Sequence, residues 1–168
     1  MAYQKLQPTS GINVAPSDDI NIPSPSSEVT SGAATATATT PNLNILTNSG
    51  GLFQSKGVAV GDVVYVLHAT GTNQITTVAS VDSETQLTLS DDVSFVSGDS
   101  YRIFRAGENN GCIIYIGTSL NNAQTITIET AGGDEVTLRN LIQGSFLPVQ
   151  VVKVFSSGTN VSDIVAFW

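Results

Sequence analysis

The strongest constraint in the sequence is a pair of alternating segments on either side of a glycine turn. Ala123 to Thr130 sets Ile126 and Ile128 on one side of an extended chain and Thr125, Thr127 and Glu129 on the other. After Ala131-Gly132-Gly133-Asp134, Glu135 to Leu141 repeats the pattern. Val136 and Leu138 are expected to face inward, with Glu135, Thr137 and Arg139 on the wet face. Strand side chains alternate between faces, so a slip of one residue would bury the charges. The pattern therefore predicts a β-hairpin in one register.

Similar signals run along the chain. Val63 to Leu67, Gln74 to Val81, Gln86 to Ser90 and Tyr101 to Phe104 read as short strands. They are separated by turn chemistry at Gly71-Thr72-Asn73, Asp82-Ser83-Glu84 and Ser97-Gly98-Asp99. Cys112 to Ile116 is an apolar strand. Phe146 to Phe155, interrupted by Pro148, Gln150 and Lys153, reads as a strand buried on much of both faces. Ser156 to Asn160 supplies a turn, and Asp163 to Trp168 ends the sequence on an apolar strand expected to be tied into a sheet or an interface. Of 168 residues, 40% are hydrophobic and 12% charged. The apolar set is mostly Val, Ile and Leu among Thr, Ser and Gly, which favours strands and leaves no defensible helix.

The expected fold is all-β: a β-sandwich or jelly-roll-like domain with an inserted small β-barrel-like module. Residues 1–27, which hold Ile12, Val14, Ile20 and Ile22 in short extended pieces before Pro23 and Pro25, join 106–168 in the base domain. Residues 28–41, an Ala/Thr repeat with few large apolar side chains, are expected to be a linker, and 42–105 the insert.

Several stretches also carry a resemblance. They are Gly144-Ser145-Phe146-Leu147-Pro148-Val149 leading into an apolar strand, the Gly158-Thr159 turn, and Ile164-Val165-Ala166-Phe167. Val14-Ala15-Pro16-Ser17-Asp18, Ile114-Tyr115-Ile116-Gly117, and Ile126-Thr127-Ile128 followed by Gly133 to Leu138 complete the set. Covering residues 11–23 and about 112–168, they resemble the spike base, or capsid decoration, proteins of tailed phage heads and gene transfer agents. The run Ser156-Ser157-Gly158-Thr159-Asn160 departs from the Ala-Thr-Gly-Thr-Thr-like turn of that pattern.

The resemblance implies a virion structural protein, made in the host cytoplasm and placed on the capsid surface. Its partners would be copies of itself as a pentamer or trimer, the major capsid protein, and a fibre protein. The apolar residues Phe146, Leu147, Phe167 and Trp168 suit either core packing or contact anchors, Trp168 foremost. With Pro148 and the Pro16-Ser17-Asp18 motif they form the candidate subunit or capsid interface. The alternatives are a carbohydrate-binding or adhesion module, and a tail or connector protein.

Other chemistries find little footing. A net charge of −8, with six basic residues scattered along the chain, argues against nucleic acid. His68, the single histidine, is expected to be exposed at a strand end, and no Gly-x-Ser-x-Gly elbow exists to partner it. Cys112 is the one cysteine, which excludes an internal disulfide and leaves a thiol dyad with His68 without a recognisable signature. Asp18-Asp19, Asp91-Asp92 and Asp134-Glu135 are adjacent carboxylates that a strand would send to opposite faces. Asp82, Glu84, Asp91 and Asp92 lack the spacing of a calcium loop. No catalytic residue, cofactor or metal is therefore expected. No stretch approaches the roughly 20 apolar residues of a spanning helix, and MAYQKLQPTSG lacks the apolar core of a signal peptide, so no membrane association is expected.

Overall fold

The computed structural model describes residues 8–69, 72–107, 109–118 and 124–168. Apart from a single 3-10 turn at Pro25–Ser27, the regular structure among them is strand. In chain order the strands are β1 (Gly11–Asn13), β2 (Glu28–Ala33), β3 (Ile45–Thr47), β4 (Val63–Leu67), β5 (Gln74–Val81) and β6 (Gln86–Leu89). There follow β7 (Ser100–Phe104), β8 (Cys112–Thr118), β9 (Thr125–Thr130), β10 (Glu135–Arg139), β11 (Phe146–Val154) and β12 (Ser162–Phe167). They build two six-stranded antiparallel sheets, ordered β1-β12-β8-β11-β9-β10 and β2-β7-β4-β5-β6-β3. The chain is thus all-β, as its alternation and turn chemistry predict.

The two sheets belong to two compact units. Met1–Pro25 with Asn109–Trp168 makes the base, and Ser26–Glu108 makes the insert. In the base sheet, alternation sorts the strands into two rows. Ile12 pairs with Ala166, Ala166 with Ile114, and Ile114 with Leu147; all four are buried. Ile116, Ile126, Ile128, Val151, Val154 and Ile164 extend this core. The segment after β1 runs on along the sheet, with Val14 N–H donating to Ile164 O, Ser17 N–H to Val154 O and Ile22 N–H to Val152 O. Ala15 and Ile22 are buried there.

In the insert, Leu46, Phe53, Val64, Val66, Val78, Leu87, Leu89, Phe95, Tyr101 and Ile103 form one core. The sheet curls until its edge strands meet, with Thr35 N–H donating to Thr47 O at 2.8 Å.

Residues 28–41 are therefore not a linker. β2 pairs with β7 from Glu28↔Phe104 to Ala33↔Ser100, Ala34 is buried, and Ala38 N–H donates to Phe95 O. The small side chains that suggest flexibility serve close approach instead: a Cβ on Gly32 would lie 2.8 Å from both Tyr101 Oη and Asn48 Nδ2. The insert accordingly begins at Ser26 rather than 42.

Two other expectations change. Val136 is 37% exposed rather than inward, because β10 is the sheet edge and its partner Ile128 takes the covered position. β11 is not buried on both faces throughout, since Phe146, Pro148 and Gln150 are exposed. Between Leu147↔Ile114 and Val151↔Cys112, β11 advances four residues while β8 advances two, a bulge that contains Pro148. Lacking an N–H, proline is tolerated in a sheet at such a break.

Candidate interaction surface

The bulge begins just after an aromatic row on the outward face of the base sheet. Phe146 stands opposite Tyr115, Tyr115 opposite Val165, and Ile113 opposite Phe167. Phe146 and Tyr115 have ring centroids 5.1 Å apart, and Phe146 and Phe167 6.2 Å, at tilts of 55° and 49°. Such tilted contacts suit ring quadrupoles. Phe146 keeps 56% of its surface exposed, while Tyr115 and Phe167 are half-buried. In the turn before β11, Ile142 is 75% exposed and its carbonyl is held by Ser145, whose N–H and hydroxyl both donate to it. Opposite Phe167, Gly11 sits close under the ring: a Cβ there would lie 3.0 Å from it, so the ring would have to shift to admit one. The result is an apolar patch with Phe146 as its most accessible ring.

The other candidate interface residues divide. Leu147 is 6% exposed and belongs to the core row, as alternation demands of the residue after Phe146. Pro148 is exposed and Pro16 half-buried. Ser17 accepts the N–H groups of Asp19 and Ile20 on its hydroxyl, a local turn cap. Asp18 is exposed but occupied: Ser157 donates to it from its N–H at 2.9 Å and its hydroxyl at 2.8 Å. These bonds, the backbone one foremost, hold the Asp18 carboxyl below the usual range. Trp168 is half-buried, its N–H bonded to Ser10 O and its carbonyl accepting from Thr9 and Ser10. Its indole Nε1 is buried with no hydrogen-bond partner among the described residues. The structure thus gathers Phe146 and Phe167 on one face and spends Leu147, Ser17 and Asp18 on the fold.

The residue missed from sequence is Tyr115. Cys112 to Ile116 is apolar at every position, so period two assigns it no outward side until Ile114 and Ile116 are seen buried.

The polar candidates act as staples. His68 is not an exposed strand-end residue, for its side chain is 13% accessible. Its Nδ1 lies 2.7 Å from Asp99 Oδ2 and its Nε2 2.8 Å from Gln74 Oε1, so both ring nitrogens are engaged. Asp99 also accepts the N–H groups of Ala69 and Val96. Burial opposes its ionisation, but the bonds from Val96, Ala69 and His68 outweigh it and hold the carboxyl low. Cys112 is buried, its thiol 3.1 Å from Val151 O, and burial pushes it up to about 12, which keeps it a thiol rather than a nucleophilic thiolate.

Three of the four carboxylates from Asp82 to Asp92 bond separate neighbours: Asp82 accepts from Ser80 and Thr88, Glu84 from Ser55, and Asp91 from Thr76. Among the described residues no three His, Cys, Asp or Glu side chains converge as a metal site. Asp62, 2% exposed, receives Arg105 Nη1 at 3.0 and 3.2 Å, which pins the start of β4 beside the end of β7.

Comparison of the chain with protein-family models, with curated proteins and with solved structures gives no match, so the aromatic patch and the fold that carries it are what a functional reading rests on.

Proposed function

We propose that this chain is a structural virion protein of a tailed-phage-like particle, a head decoration or spike base that docks on the capsid and supports a fibre. The observation that carries the reading is the accessible Phe146, flanked by Tyr115 and Phe167 on one sheet face. Aromatic side chains on a fixed scaffold make effective contact anchors, because they cover a large area at little cost in rotamer freedom. The residues that resemble spike base proteins, 11–23 and about 112–168, also fall within the single base unit. The reading assigns the base to attachment, with copies arranged as a pentamer or trimer around a symmetry axis, and assigns no catalytic step.

Antibody-gold labelling of particles released by cells that carry the gene tests this directly. Label on the heads is expected. Label confined to tails, or its absence from particles that contain all other structural proteins, overturns the reading.

A further inference from the structure

The base sheet ends on β1 and β10, and among the described residues no strand pairs with the outer side of β10. β1 is three residues long, and in the insert β2 and β3 are drawn together by the Thr35–Thr47 bond. β10 is the remaining outer strand, five residues long and largely exposed.

The direction in which its backbone points follows from its neighbour. On β9, Thr127 gives its N–H to Thr159 Oγ1 and takes Phe155 N–H on its carbonyl; Thr125 likewise bonds Asn160 with both groups. Both residues thus turn their backbone groups away from β10. They pair with Thr137 and Arg139, so those two pairs are non-hydrogen-bonded ones, and by alternation so is Glu129↔Glu135. The N–H and C=O groups of Glu135, Thr137 and Arg139 therefore point to the free edge, and none has a hydrogen-bond partner among the described residues.

The side chains on these same residues are self-complementary. In an antiparallel pair with its own copy centred on Thr137, Glu135 meets Arg139 of the other copy at both ends, and Val136 meets Leu138 on the opposite face. All three outward-pointing residues then fall in hydrogen-bonded pairs, so the backbone phase and the charge pattern select the same register. Neither Glu135 nor Arg139 has an ion-pair partner among the described residues, and both are exposed.

We propose that β10 is a two-fold pairing edge, which takes β10 of a second copy of this chain and continues the base sheet across a dyad. Charged residues ordinarily protect an edge from such pairing. Here, set two positions to either side of Thr137 with opposite sign, they admit one partner in one register. The pairing uses a different strand from the aromatic patch and does not depend on capsid attachment.

Light scattering over a concentration series, with native mass spectrometry to identify species, tests it through charge reversal. The wild-type chain is expected to pass from 17.5 kDa to twice that mass. E135R and R139E each place like charges opposite one another at both ends, and each alone is expected to weaken association by about tenfold or more. An equimolar mixture of the two restores opposite charges at both ends and regains a heterodimer about as strong as the wild-type pair. Unchanged unfolding midpoints show that the variants are folded, and recovery in the mixture shows the same independently. The proposal is overturned by a wild-type chain that stays monomeric to millimolar concentration, by an oligomer of any size that both single variants leave intact, or by failure of the mixture to regain the pair. Phe146→Ala, which addresses the patch, is expected to leave this dimer unchanged, so attachment and pairing fail separately.

Discussion

Phe146 and Leu147 are adjacent in sequence and opposite in consequence, and exchanging each for alanine separates attachment from folding. Leu147 is 6% exposed in a row with Ile114, Ala166 and Ile12, so Leu147→Ala opens a cavity in the base core and should cost about 2–5 kcal/mol of stability. Phe146 is 56% exposed, so roughly half of the 1.5–3 kcal/mol of a full burial is at stake within the chain, and Phe146→Ala should cost about 1 kcal/mol. Under the proposed attachment to a capsid, the order reverses for binding. Loss of an aromatic anchor costs at least about 2 kcal/mol of binding, on the order of thirtyfold in affinity. Trp168 is the sole tryptophan and lies in the base, so its fluorescence during urea unfolding reports that unit. Binding is read by sedimentation with heads stripped of the protein. The reasoning is refuted if Phe146→Ala destabilises the base as much as Leu147→Ala does, or if it binds heads like the wild type.

Two further outcomes follow from the ionisable groups. Asp18 and Asp99 have folded-state values below their unfolded ones, near 4, so the stability they contribute is present above that pH and is lost as pH falls through the lower folded values. The urea midpoint should decline below about pH 4, and Asp18→Asn should lose less between pH 4 and pH 2 by tryptophan fluorescence; an equal loss would mean that the Ser157 bonds contribute nothing. Cys112, pushed up to about 12 by burial, should resist a thiol reagent at pH 8 in native buffer and react promptly in urea. Fast native labelling would show that the strand pair around it opens readily.

Most strands were legible because turns and alternation agreed. β4 to β7 fall where Val-rich runs end at Gly, Asn and Asp turns, and the Gly132-Gly133 hairpin has the register its pattern demands, with Gly133 at φ +87°. Burial was harder, because alternation says which residues share a face but not what lies over it. Val136 has the inward pattern yet sits at an edge, whereas Thr127, on the expected wet face, is 5% exposed beneath the turn that carries Gly158 and Thr159. β2 was hidden because Ala, Gly and Thr read as slack when their smallness in fact admits Tyr101 and Asn48. His68 escaped for a different reason: Asp99 lies 31 residues away, and nothing local announces their pairing.

The long-range pairing of β1 with β12 bears on how the molecule is made. Gly11 meets Phe167, so the first strand emerges from the ribosome long before its partner is synthesised. The insert, whose strands all lie between Glu28 and Phe104, has everything it needs well before that and can fold while the base is incomplete. During that interval Ile12, Ala15 and Ile22 have no finished sheet to cover them. Synthesis of β12 is thus the step that closes the base, and a chain stalled before it carries every strand of the insert together with a base sheet that lacks β12 and the seat it offers β1.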